Sequence, residues 1–167
     1  MDVLGLLVSA LWFIFPAYVA NATPVVLGGG RPIDGGRKFT DGRPILGPGK
    51  TIRGFVAGLI AGTIFGAIQG AIVGPLDTYV AAGFLLSLGA LAGDLLGSFI
   101  KRRLNMPRGG AAPGLDQLGF LAMAVLLASP IKTPSLEVFI TLLIITPFIH
   151  LATNFGGHKL GLKERPY

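Results

Sequence analysis

The twenty residues from Phe55 to Gly74 carry no charged side chain. An uncharged apolar run of that length matches the roughly 20 residues of helix needed to cross the hydrocarbon core of a bilayer. Other stretches are also predominantly apolar: about Val3 to Ala20, Tyr79 to Ile100 (which holds Asp94), Leu118 to Ser129 with flanking residues, and Leu136 to Phe155 (which holds Glu137). The fourth is short and must recruit Leu115 or Ile131 to reach span length. Composition agrees, because 51% of the 167 residues are hydrophobic and only 13% are charged, against about 25% charged in a soluble domain. The chain therefore reads as an all-α polytopic membrane protein, one integral domain over residues 1–167 with five transmembrane helices. Its first apolar stretch follows Met1-Asp2 without a basic leader or a small-residue cleavage site, so it reads as a span and not a removed signal peptide. With no cysteine, disulfides, thiolate metal sites and cysteine nucleophiles are excluded.

The net charge of +6 is unevenly placed. Arg31, Arg37, Lys38, Arg43, Lys50 and Arg53 lie between the first two spans, Lys101, Arg102, Arg103 and Arg108 between the third and fourth, and Lys159, Lys163 and Arg165 in the tail; the other side holds only Lys132. Thirteen against one places the N terminus outside and the C terminus in the cytoplasm by the positive-inside rule. The cytoplasmic parts are then loops at about 28–53 and 101–114 and a tail at 156–167. Contact with anionic membrane lipids follows from the same basic residues, and no nucleic-acid partner is expected.

The loop between spans one and two asks for more than orientation. From Gly28 to Gly54 it holds nine glycines, three prolines, six basic residues and the carboxylates Asp34 and Asp41. Glycine allows close backbone approach, and successive amides form anion-binding nests, so such a mixture suits a polyphosphate; a disordered basic linker is the competing reading. Within it, Gly49, Lys50 and Thr51 match the end of a Walker A loop, yet the first glycine of that pattern would fall on Pro44 and no buried strand precedes it. The segment is not a P-loop.

Glycine recurs every fourth residue along span two, at Gly54, Gly58, Gly62, Gly66, Gly70 and Gly74, and again at Gly89, Gly93 and Gly97 in span three. In lipid, helices associate through such small-residue ridges. The ridges serve packing against either another span or a second protomer, which would make a homodimer.

Asp94 lies inside span three, where an unpaired charge costs about 2.5–3.5 kcal/mol on insertion scales. Asp94, Ser98 and Lys101 follow an i, i+4, i+7 spacing on one helix face. The plain alternative is an ion pair from Asp94 to Lys101 or Arg102. Asp116 and Gln117 open span four, where a carboxylate also suits the helix dipole. Asn21 ends span one, and His150 and Asn154 share a face near the end of span five, with His150 read as a hydrogen-bonded packing residue. Neither an H-E-x-x-H pair nor a Ser/His/Asp triad is visible. Two carboxylates beside a basic glycine-rich loop match Mg²⁺, which takes one or two carboxylates and completes its shell with water and substrate phosphates. The inventory fits metal-assisted phosphoryl chemistry at a membrane surface. A non-enzymatic scaffold would leave Asp94 unexplained, and a transporter would spread polar residues through the full membrane depth.

At these residues the sequence resembles the archaeal CDP-archaeol synthases, relatives of the CDP-diacylglycerol synthases. The similarity runs in order through PAYVANATPVV (Pro16 to Val26), GRPILGPGKTIRG (Gly42 to Gly54), GDLLGSFIKRR (Gly93 to Arg103), PGLDQLGF (Pro113 to Phe120) and HLATNFGGHKLGLKERPY (His150 to Tyr167). Ser98, Lys101 and Arg102 with the downstream L-D-Q resemble the wider cytidylyltransferase signature. One departure stands at Gly119, where that family commonly has a second aspartate; either Asp116 suffices or another group such as Asp41 contributes.

The resemblance implies transfer of CMP from CTP to the phosphate of 2,3-bis-O-geranylgeranylglycerol 1-phosphate, an isoprenoid ether lipid phosphate, with Mg²⁺ as cofactor. Activation of a different lipid phosphate, such as phosphatidic acid, is the neighbouring alternative. On this reading Asp94 and Asp116 hold the metal, and Lys101 and Arg102 join them as catalytic groups. Gly47, Gly49, Lys50 and Thr51 cradle the triphosphate, and Arg43, Arg53, Asp41, Ser98, Asn21 and Asn154 complete substrate binding. The isoprenoid chains would lie in a lateral groove between spans in the cell membrane.

Overall fold

A computed structural model describes residues 2–163; Arg165, counted above among the basic tail residues, lies outside them. Five helices follow in order: α1 (Val3–Leu27), α2 (Ile52–Val73), α3 (Leu76–Arg103), α4 (Leu115–Ala128) and α5 (Leu136–Lys159). Four are long and apolar enough to cross a membrane. The exception is α4, whose 14 residues rise only about 21 Å. It nonetheless carries the chain from one end of the bundle to the other. Asp116 at its start bonds Lys101 near the end of α3, while Lys132 just beyond its end sits 3.7 Å over the Tyr79 ring near the start of α3. The non-helical Ser129–Ser135 segment supplies the remaining length.

Side chains at the helix starts satisfy otherwise orphaned amides. Asp2 accepts from Gly5 N at 2.7 Å, Thr51 from Gly54 N at 3.2 Å and Ser135 from Val138 N at 3.3 Å. Proline interrupts α1 at Pro16 and Pro24 and α5 at Pro147. Pro16 cannot bond the Trp12 carbonyl four residues back, and Gln69 of α2 fills that vacancy, donating its Nε2 to Trp12 O at 2.5 Å.

At the centre, α3 packs against α1, α2 and α4, whereas α5 packs on α1 and α4 alone. Backbone proximity sets these crossings. A Cβ on Gly66 would stand 2.8 Å from Gly83 Cα, one on Gly58 2.5 Å from Ala20 O, and one on Gly93 2.7 Å from Phe120 Cα. The glycine ridges anticipated from sequence thus serve contacts within the chain. The opposite ridge of α2, Val56, Ile60, Ile64, Ile68 and Ile72, is exposed. An apolar stripe of that length would be a liability in water and is what a lipid-facing helix presents. The core between α1, α3, α4 and α5 is built on Ala10, Ile14, Leu86, Phe120, Leu121 and Leu142, and a buried Tyr18 hydroxyl to Thr146 hydroxyl bond of 2.7 Å ties α1 to α5.

The segment between α1 and α2 is folded, against the reading of a disordered linker. Residues flanking two antiparallel bridges, Pro32 with Thr51 and Lys38 with Pro44, exchange amide bonds. Ile33 N donates to Lys50 O at 2.8 Å and Phe39 N to Arg43 O at 2.8 Å. Asp34 organises the interior of this hairpin, accepting from Gly36 N, Leu46 N and Gly47 N at 2.9–3.0 Å. Partial burial pushes its carboxyl pKa up, but the bonds from Gly47, Leu46 and Gly36 outweigh that and hold it below the ordinary value.

Candidate active site

The hairpin docks on the last turn of α3 through Arg103. Its guanidinium lies 4.7 Å from the Phe39 ring and 4.9 Å from the Phe99 ring, pairs with Asp41 at 3.1 Å and donates to Pro44 O at 2.5 Å. In return, Arg43 donates to the Arg103 carbonyl, capping the α3 terminus as a cation suits that end of a helix. Arg53 closes the other end of the loop. Its Nε donates to Leu27 O at 3.0 Å and its terminal nitrogen to Gly28 O, where α1 has run out of amide partners. Asp41, Arg43 and Arg53, all expected at the substrate, are thus engaged in holding the loop.

Docking in this way brings Lys50 over α3. Its Nζ lies 2.5 Å from Asp94 Oδ2, with both side chains about one third exposed. A second pair sits beside it. Lys101 Nζ lies 2.6 Å from Asp116 Oδ1, and Asp116 Oδ2 accepts from Ala112 N at 2.9 Å. An intrahelical pair from Asp94 to Lys101 or Arg102 does not form. Seven residues place Lys101 about 10 Å further along α3, so it reaches across to α4, and a loop residue 44 positions earlier neutralises Asp94.

Arg102 contrasts with its neighbour Arg103. It lies along the Gly47 turn, its Cδ 4.0 Å from where a Gly47 Cβ would be, and Arg108 Nε is 3.8 Å from the equivalent point at Gly49. One terminal nitrogen of Arg102 donates to Pro107 O at 3.3 Å; its buried Nε, like the Nε and one terminal nitrogen of Arg103, has no hydrogen-bond partner among the described residues. Gly47 adopts φ +97°, a left-handed conformation natural to glycine. Its amide is taken by Asp34 and that of Lys50 by Gly47 O at 3.2 Å, so the turn's free amide among the described residues is that of Gly49. Thr51 is buried and its hydroxyl oxygen caps α2.

Ser98 is buried one turn after Asp94. Asn154 is buried and its amide nitrogen lies 3.2 Å from His150 Nδ1, as expected for a packing histidine. Asn21, on α1 next to the Ala20 crossing with Gly58, makes no side-chain hydrogen bond among the described residues. One neighbour was not anticipated. Lys163, beyond α5, donates its ammonium to Asn154 Oδ1. Burial lowers its pKa first, then the charge of Lys50, and Asp94, Asp116 and Lys101 also act on it. Its signals in sequence are membership of a basic tail and of the His150 to Tyr167 segment that carries the resemblance, neither of which points it at the cluster.

Among the described residues no group of three or more His, Cys, Asp or Glu could enclose a metal. Two carboxylates on facing helices with lysine counter-ions do fit Mg²⁺, which needs only one or two and draws its other ligands from water and phosphate. At Gly119 a Cβ would have ordinary space, 3.9 Å from Leu115 Cδ1 and 4.0 Å from Gly93 O, so backbone crowding does not require glycine there.

Two recesses accompany the cluster. One of about 710 Å³ lies in the hairpin, lined by Arg31, Asp34, Arg37 and Leu46 among others. The other, about 290 Å³ and apolar, lies between α2 and α3 at Leu59, Ile60, Thr63, Ile64 and Phe84.

Residues 3–167 match the family described as CarS-like, CDP-archaeol synthase. The chain is 56% identical over 171 residues to a CDP-archaeol synthase of Thermococcus gammatolerans, covering 100% of each. It is 55% identical to that of Pyrococcus horikoshii, covering 96% of this chain and 97% of the relative. It also superimposes on the solved structure of an intramembrane enzyme for archaeal membrane lipids biosynthesis, with a TM-score of 0.81 and 42% identity, over 88% of this chain and 93% of that one.

Proposed function

The chain belongs to the CDP-archaeol synthase family, and on that premise we propose that its lysine–carboxylate cluster is where CTP and an archaeal lipid phosphate react. It is a multi-pass membrane enzyme, a cytidylyltransferase that forms CDP-archaeol in archaeal lipid biosynthesis. The lipid substrate is 2,3-bis-O-geranylgeranylglycerol 1-phosphate. Its phosphate oxygen attacks the α-phosphorus of CTP; the new O–P bond forms as the bond to the β-phosphate oxygen breaks, and pyrophosphate leaves.

The observation that carries this reading is the meeting of the Lys50–Asp94 and Lys101–Asp116 pairs at one end of an apolar bundle, beside a glycine turn flanked by Arg102 and Arg108. A lipid phosphate is already an anion and needs no strong base. What the site must supply is alignment and charge compensation for the departing pyrophosphate. Asp94 and Asp116 would hold Mg²⁺, which when bound supplies charge neutralisation on the triphosphate. Lys50 and Lys101 are short-range cations at those carboxylates, within a side chain's swing of any phosphate brought between them. Arg102 offers an unpartnered buried donor next to the Gly47 turn, and the Gly49 amide adds a backbone donor. The isoprenoid chains occupy the apolar recess between α2 and α3. Its Phe84 lies ten residues before Asp94, about 15 Å along the helix, a depth suited to lipid tails whose head reaches the cluster. The basic bias of loops and tail supports a cytoplasmic location for this end of the bundle, with five crossings and the N terminus outside.

The test is pyrophosphate release by detergent-purified protein given Mg²⁺, the geranylgeranyl ether lipid phosphate and CTP, with ATP, GTP and UTP in parallel and phosphatidic acid as a second lipid. Release with CTP and the ether lipid together is expected. Equal release with every nucleotide, or with CTP alone, would overturn the assignment.

A further inference from the structure

The end of α5 is built to return a cation to the site. The helix stops in a tight turn in which Leu162 N donates to Gly157 O and Gly161 N to His158 O, both at 2.9 Å. Gly161 takes φ +72°, the left-handed conformation by which such C-terminal turns reverse the chain. The reversal lays the Lys163 stem across the helix. Its Cγ and Cδ lie 3.7 Å from where a Gly157 Cβ would be, an ordinary contact distance that places the stem against the helix surface. His158 Nδ1, 3.0 Å from the Lys163 carbonyl oxygen, fixes the backbone, and Asn154, steadied by His150, receives the ammonium.

Two lysines at this end are neutralised by the carboxylates they bond, Lys50 by Asp94 and Lys101 by Asp116. Lys163 bonds only a neutral amide oxygen among the described residues, so three lysines and two carboxylates leave one positive charge. Positioning a half-buried ammonium against a neutral partner costs solvation, and an incoming oxyanion would offset that cost.

We propose that Lys163 is a substrate-binding residue that takes a phosphate oxyanion at the Asn154 side of the cluster, delivered there by the Gly161 turn. This rests on the reading of the cluster as the reaction site. The oxyanion belongs to either the nucleotide or the lipid, and the test separates them.

Equilibrium binding of pyrophosphate, CTP and the ether lipid phosphate is measured separately on full-length wild type, Lys163→Met and Lys163→Arg, with thermal midpoints alongside. A charge-assisted bond corresponds to about ten- to hundredfold in affinity. Lys163→Met should lose that much for at least one ligand while keeping its thermal midpoint, and Lys163→Arg should recover most of the loss. Weakening confined to CTP and pyrophosphate assigns the contact to the nucleotide; weakening confined to the lipid assigns it to the lipid phosphate. Unchanged binding in Lys163→Met, or equal loss in both variants with a lowered midpoint, overturns the proposal. A wild type that binds pyrophosphate through Lys163 yet releases none from CTP and lipid would refute the cytidylyltransfer reading of the site and leave the Lys163 contact standing.

Discussion

Arg102 and Arg103 are adjacent on the last turn of α3, yet the folded loop uses them in opposite ways. Arg103 is spent on structure: two aromatic faces, the Asp41 carboxylate and loop carbonyls surround it. Arg102 lies along the Gly47 turn and its side chain bonds a single carbonyl, that of Pro107, among the described residues. The same division runs through the loop. Its first half, around Phe39, Asp41 and Arg43, grips the end of α3, while its second half, from Gly47 to Lys50, presents glycine backbone and an ammonium to Asp94. A cation enclosed by rings, carbonyls and a loop carboxylate holds the fold, and one that meets Asp94 or lies along an open turn is placed to meet a ligand.

The strongest challenge to that division is Asp94→Asn. It should lower pyrophosphate release by at least about a hundredfold while the bundle stays folded, because Lys50 can still bond an amide oxygen. Near-normal turnover in that variant would move the chemistry elsewhere. Next comes the arginine contrast itself. Arg102→Ala should reduce turnover by about ten- to hundredfold with an unchanged thermal midpoint. Arg103→Ala should lose about 2 kcal/mol of stability, from two cation–π contacts, the ion pair with Asp41 and the bond to Pro44. If both variants lost stability equally, the two arginines would not differ in role.

The hairpin gives a pH-dependent prediction. Asp34 has a folded-state pKa held below its usual 3.8 by loop amides. Its stabilisation is therefore fully present above that value and disappears as pH falls through the lower folded value. Amide exchange at Gly36, Leu46 and Gly47 should stay protected at neutral pH and lose protection in that acidic window, and Asp34→Ala should lose it at every pH. The smallest effect is expected at Thr51, whose hydroxyl caps α2. Thr51→Ala should cost about 1 kcal/mol of stability, and Thr51→Ser should restore most of it.

Much of the bundle was legible in the sequence because lipid imposes few solutions. Predominantly apolar runs of span length gave α1, α2, α3 and α5, and the four-residue glycine period found the α2 face that packs on α1 and α3. The short fourth run proved to be a 14-residue helix, since its ends are fixed by contacts of Asp116 and Lys132 and not by its own hydropathy. Asp94 and Asp116 stood out as carboxylates in or beside spans. Their partners could not be read from spacing: Lys50 reaches Asp94 only because a hairpin 44 residues upstream folds back. The structural duties of Arg43, Arg53 and Arg103 were hidden for a related reason, because composition counts positive charges but cannot show which of them lie at the carbonyl end of a helix. The approach of Lys163 to the site was not legible because a left-handed turn at Gly161 is needed to aim it.

The most direct test of the central claim is CTP binding titrated with Mg²⁺, comparing wild type with the Asp94→Asn, Asp116→Asn double variant. If these carboxylates form the nucleotide–metal site, wild-type affinity should rise with Mg²⁺ and the folded double variant should show no such rise. An equal Mg²⁺-dependent gain in the double variant would contradict the site as drawn.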